Sequence, residues 1–86
     1  MTDVFTQIGN NIRHIRKSNG ISIPDAAWAA DIDPSYFAGI ERGKHNITVS
    51  TLASIASAIN VEPSELLLDN DKIKEKYQSL DIVSHK

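Results

Sequence analysis

The chain has 86 residues, with nine basic and eleven acidic side chains, a net charge of −2 and no cysteine. That is one small domain, close to the size of about 70–80 residues below which a core often needs a staple or a partner. Disulfides, cysteine-based zinc sites and thiol chemistry are excluded. No apolar run approaches the roughly 20 residues that span a bilayer, residues 1–7 lack the basic and apolar stretches of a secretion signal, and the expected location is the cytoplasm.

Val4 or Phe5 opens the first predicted helix. Phe5, Ile8, Ile12 and Ile15 form an apolar stripe at helical period, with Gln7, Asn10, Arg13 and Lys17 on other faces. Asn19-Gly20 stops it, since glycine takes a left-handed C-cap conformation freely. Ser22 is a good N-cap for a second helix, with Pro24 tolerated in its first turn and Asp25 completing an approximate capping box. Ala26, Ala27 and Ala30 give that helix a thin face that lets a neighbour cross closely. Asp31 takes the turn and Ile32 plugs inward. Asp33-Pro34 starts a third helix, as N-cap and N1, with Phe37 and Ile40 toward the core and Gly43 past its end.

Residues 45–47 form a loop. Thr48 caps a fourth helix that carries Val49, Leu52, Ile55, Ala56 and Ile59 on one face, and Asn60 closes it. Glu62-Pro63 begins a short fifth helix through Leu66-Leu67-Leu68. Residues 1–70 are therefore read as the folded domain and 71–86 as a C-terminal tail. The tail is weakly helical between Lys72 and Leu80 and frayed beyond. The fold expected is all-α, a compact five-helix bundle with a possible extra C-terminal helix. Its organising unit is the pair of short helices between Ser22 and Lys44, the outline of a helix-turn-helix.

The order and spacing of several pieces resemble the lambda-repressor-like, or XRE-type, helix-turn-helix regulators. The pieces are Ile12-Arg13-x-x-Arg16, Gly20-Ile21-Ser22, Ala27, Ile32-x-x-Ser35-Tyr36, Ile40-Glu41-Arg42-Gly43-Lys44, Asn46, Leu52, Ile55-Ala56 and Glu65-Leu66-Leu67. Within that family, Tyr36 to Arg42 with Asn46-Ile47-Thr48 is most similar to the controller proteins of restriction–modification systems. The resemblance implies a homodimer that regulates transcription by reading a pseudo-palindromic operator in double-stranded DNA, with the third helix in the major groove. By position, it places Pro34, Ser35, Tyr36 and Gly39 at the groove and Arg42, Lys44, His45 and Asn46 along the backbone. The amide ends at Ser22 and Ile23, and at Val49, Ser50 and Thr51, are implied phosphate clamps. Arg16 and Glu41 match a structural ion pair of the family, whose loss on one side leaves a buried charge at a cost of about 3–5 kcal/mol.

This chain departs from the family pattern at four positions. Ile23 stands where glutamine is common and offers only its backbone N–H. Asp31 replaces the usual turn glycine, and Pro34 and Gly39 have no side-chain donors. Direct base readout is therefore sparse, and specificity leans on Ser35, Tyr36, Arg42 and DNA shape. The charge pattern fits a weakly positive face: Arg13, Arg16, Lys17, Arg42 and Lys44 offset Asp25, Asp31, Asp33 and Glu41, while Glu62, Glu65, Asp69 and Asp71 form a separate acidic run. The alternative is a helix-turn-helix that binds protein, such as an antitoxin-like partner, since fold does not fix function.

Leu66, Leu67 and Leu68 cannot all face one core, so they are expected to form a dimer seam with Ile59 and Val61. The other reading is a cover over the end of the bundle. Tyr77, Leu80, Ile82 and Val83 are candidates to extend the seam. Trp28 is expected to fold over the thin alanine face, the other reading being a partner or DNA-backbone contact. His14, His45 and His85 do not share metal-ligand spacing, and neither a nucleophile elbow nor a glycine-rich phosphate loop occurs. No metal, cofactor or enzymatic role is expected.

Overall fold

A computed structural model describes residues 3–84, with side chains for residues 3–77. Among the described residues it contains five α-helices and no strand: α1 (Val4–Ser18), α2 (Ile23–Ala30), α3 (Pro34–Glu41), α4 (Val49–Ala58) and α5 (Asn70–Ser84), with a 3-10 turn at Pro63–Leu67. The helix starts follow from local chemistry. The Asp3 carboxylate accepts from the Thr6 N–H, the Ser22 hydroxyl from the Asp25 N–H at 3.1 Å and the Thr48 hydroxyl from the Thr51 N–H at 3.1 Å. Each such cap contributes about 1 kcal/mol. Asp31, at φ 59°, makes the left-handed stop of α2 that a glycine would otherwise supply.

The core is a single cluster. Ile8, Ile12 and Ile15 of α1 meet Phe37 and Ile40 of α3, Leu52 and Ile55 of α4, and the alanines of α2. Full burial of each large side chain contributes about 1.5–3 kcal/mol before conformational entropy is charged against it. Gly9 lets α1 approach the end of α3, because a Cβ there would lie 2.6 Å from the Glu41 carbonyl oxygen. No helix among the described residues is long and apolar enough to cross a membrane.

Four expectations are corrected. The fifth helix is a 3-10 turn, five residues long and bounded by Pro63. The possible extra C-terminal helix is present, and what is corrected is its reading as a tail frayed beyond Leu80: α5 runs to Ser84, and Ile73 is buried in the common core with Tyr77 packed against it one turn later. Of the residues read as frayed, only His85 and Lys86 lie outside the described part. Ile59 and Leu66 are fully buried within the chain and cannot form a surface seam. Ile59 continues the inward stripe of Leu52 and Ile55, and the Leu66 backbone is pinned to α1. Finally, Trp28 is 82% exposed. It lies roughly 200° around the helix from Ala26, and the buried alanine face already sits against its neighbours.

A polar lattice that the apolar patterning does not reveal joins α1 to the 3-10 turn and α5. The Asn11 amide, fully buried, donates to the Leu66 carbonyl at 3.0 Å and the Leu68 carbonyl at 2.6 Å. Gln7 donates to the carbonyls of Leu67 and Leu68, both at 3.0 Å. Asn70 donates to the Asn11 side-chain oxygen at 2.6 Å and the Gln7 carbonyl at 3.3 Å. These bonds satisfy the carbonyls where the chain turns from 3-10 into α5. The signal was present in the sequence: Asn11 is four residues after Gln7 and four before Ile15, on the inward side of α1.

Candidate nucleic-acid interface

Residues 33–46 build the centre of the site. The Asp33 carboxylate accepts from the N–H groups of Ser35 at 2.9 Å and Tyr36 at 3.2 Å, and Pro34 occupies the first turn. This starts α3 with Pro34, Ser35 and Tyr36 exposed, while Phe37 and Ile40 anchor its opposite side in the core. The helix is held at its other end by a buried ion pair. Arg16 Nε donates to Glu41 Oε2 at 2.6 Å and Nη2 to Oε1 at 3.1 Å, a bidentate fork, while Nη1 donates to the Ile21 carbonyl at 2.8 Å. One guanidinium thus fixes α3, α1 and the loop into α2 relative to one another.

Gly39 is not an open groove position. It is buried, and His45 lies over it: a Cβ at 39 would be 2.6 Å from the His45 ring nitrogen Nε2. The His45 ring also packs on Tyr36, with centroids 4.6 Å apart at a 38° tilt. The absent side chain of residue 39 is therefore replaced by an imidazole from the following loop. Tyr36 and His45 form one aromatic surface, and Arg42, Lys44 and Asn46 are exposed around it.

Arg42 and Ile23 meet in a groove of about 360 Å³ whose lining includes Ala38, Arg13 and Lys17. Among the described residues, Arg13, Lys17 and Arg42 make no ion pair. Three exposed cations thus flank the start of α2, where Pro24 has no N–H and that of Asp25 is taken by the Ser22 hydroxyl, leaving the Ile23 N–H at the positive end of the helix dipole. Sequence reasoning counts Arg13 and Lys17 only toward a weakly positive face and gives neither a role of its own. They are the exposed bases of α1, four residues apart, and that spacing is the signal that could have found them.

The remaining candidates are dispersed. Ser22 is exposed but its hydroxyl caps α2. The Thr51 hydroxyl lies 3.1 Å from that of Thr48 and belongs to the α4 cap, while Ser50 lines a separate groove against the end of α2. Leu67 and Leu68 remain 49% and 37% exposed, beside half-buried Val61. The side chains of Leu80, Ile82 and Val83 lie outside the described residues. Among the described residues no group of three or more His, Cys, Asp or Glu is placed to hold a metal ion.

A family model described as helix-turn-helix matches residues 12–66, from the middle of α1 to the 3-10 turn. The chain is a member of that XRE-type family. A curated relative of this helix-turn-helix protein is control protein C.MunI from a Mycoplasma species. It is 32% identical over 73 residues, covering 84% of this chain and 99% of the relative. An immunity repressor protein from Bacillus phage phi105 is 33% identical over 69 residues, covering 80% of this chain and 48% of the repressor. Among solved structures, the restriction-modification controller protein C.AhdI from Aeromonas hydrophila superposes with a TM-score of 0.70 at 32% identity. That match covers 72% of this chain and 94% of C.AhdI.

Proposed function

We propose that this helix-turn-helix protein is a sequence-specific transcriptional regulator that binds a pseudo-palindromic operator as a homodimer, in the manner of a restriction–modification controller. One observation carries the reading. α3 begins with Pro34, Ser35 and Tyr36 exposed, and its far end is locked by the buried Arg16–Glu41 pair, where Arg13, Lys17 and Arg42 line a groove with Ile23 at the start of α2. A short helix with an exposed first turn and cations at its far end suits a major-groove reader. The kinship with control proteins and a phage repressor supports the same reading.

Roles follow from the chemistry. Ser35 and Tyr36 meet base edges or thymine methyl groups, and His45, stacked on Tyr36, reaches the same groove. Arg13, Lys17, Arg42 and the Ile23 N–H take phosphates on one side, with Lys44, Asn46 and the start of α4 following the backbone. The exposed Leu67 and Leu68 face the second protomer, and the operator's two half-sites, one for each α3, lie about 34 Å apart.

The exposed Trp28 favours a second reading, contact with another protein. Salt separates the two. Operator affinity measured against salt concentration is expected to fall steeply. Arg42→Ala, and Arg13→Ala with Lys17→Ala, are each expected to flatten the slope by about 0.9 for every phosphate that is no longer neutralised. Parent and variant slopes that coincide would remove the phosphate assignments, and binding that is flat with salt would favour the protein partner.

A further inference from the structure

Arg13 and Lys17 line a second cleft, of about 370 Å³, between α1 and α5, together with Asn10, His14, Asn70 and Lys74. Its volume is within the range of small-molecule sites. Its charge runs against that of the whole protein: the chain has eleven acidic and nine basic side chains, yet the cleft has three cations and no carboxylate among its described lining residues. The Nε2 atom of His14 is buried and has no hydrogen-bond partner among the described residues. A buried ring nitrogen left unpaired is uncommon in proteins. The Asn10 amide adds a donor at the same place. Lysine and arginine heads around an imidazole and an amide match the oxygens of a small polyvalent anion.

We propose that this cleft binds a small polyvalent oxyanion, a phosphate or a polycarboxylate, and that its occupation weakens DNA binding. The first half stands on the cleft alone. The second half rests on the DNA-binding reading above: Arg13 and Lys17 also line the groove with Arg42 and Ile23. An anion held between α1 and α5 draws those two side chains toward itself and cancels charge that would otherwise face a DNA phosphate. Lys74 belongs to the anion cleft and not to the DNA-side groove, so it separates the two functions.

The test is a titration of the ¹⁵N-labelled full chain with inorganic phosphate, then with citrate, chloride holding the ionic strength constant. Saturable shifts at Asn10, His14 and Asn70 are expected, with at least tenfold weaker binding in Lys74→Glu, a change at an exposed position. His14→Gln is the second variant and is expected to weaken binding too. Shifts that grow linearly without saturating, or that titrate identically in Lys74→Glu, overturn the site. No DNA is present, so failure of the DNA-binding reading leaves this result standing. Operator affinity is then measured with the saturating anion at the same ionic strength. A several-fold loss in the parent and none in Lys74→Glu is expected. An equal loss in both, or none in either, overturns the coupling, and a parent chain without operator binding removes it together with the reading it rests on.

Discussion

Arg16 and Glu41 concentrate more of the site's geometry than any other two side chains. They are only 7% and 6% exposed, so neither charge is well solvated without the other. A domain of this size has a total stability of roughly 4–13 kcal/mol. Removing one partner strands the other at a cost of about 3–5 kcal/mol, roughly a quarter or more of that stability. Arg16→Met is therefore expected to lower the urea midpoint sharply. Adding Glu41→Leu to it is expected to recover most of the loss, because no charge is then buried. A double variant as unstable as the single would show that packing around the pair, and not the stranded charge, sets the cost. The recovered variant also tests geometry: without the fork, α3 is held only by Phe37 and Ile40, and operator affinity should remain depressed after stability returns.

At the scale of elements, α5 is attached by its first two turns. Ile73 is buried, Asn70 bonds to α1, and Glu65 in the 3-10 turn receives Lys76 Nζ at 2.8 Å and the Tyr77 hydroxyl at 3.1 Å. The hydrogen bond from Lys76, reinforced by that from Tyr77 and opposed by partial desolvation, holds the Glu65 carboxyl below its ordinary value of 4.5. A carboxyl lowered by folding stabilises the native state above its unfolded value, and that contribution is lost as pH falls from there through the lower folded value. The Tyr77 hydroxyl is raised above 10.0, by burial and by Glu65, and the Lys76 ammonium above 10.5 by the same carboxylate. Both contributions are present at neutral pH and fade as pH rises beyond those values. Melting curves between pH 7 and pH 3 are expected to fall more steeply for the parent than for Glu65→Gln. Curves of equal steepness would mean the contact is too well solvated to matter, as exposed ion pairs often are.

For the whole molecule, the question is what joins two copies. Ile59 and Leu66 are committed to the core, leaving Leu67 and Leu68 as the exposed apolar pair beside Val61. Both carbonyls are held by Gln7, and that of Leu68 also by Asn11, so the two side chains stand on a fixed backbone. Leu67→Glu is expected to give monomers by sedimentation and to reduce operator affinity, because a monomer engages one half-site only. Leu67→Glu chains that remain dimeric would move the interface elsewhere, with the exposed Trp28 the next surface to test.

The amino-acid sequence by itself determined the first four helices and their ends. Capping by Ser22, Asp33 and Thr48, the turn at Asp31 and the three-and-four spacing of isoleucines are local, and local chemistry is what a linear pattern records. The Arg16–Glu41 pair was legible through the family resemblance. Tertiary packing decided what depends on two distant segments meeting. Gly39 looked like an open reading position because nothing local shows His45 folding back over it. Arg13 and Lys17 gained a role only when α1 was laid beside the start of α2 and the end of α3. Asn11 was an ordinary polar residue until the carbonyls of residues 66–68 arrived above it. Trp28 was displaced outward because three alanines had already filled the space it was expected to cover. Backbone bonds within a helix are specified within four residues, whereas a side chain's neighbours are specified by the whole fold.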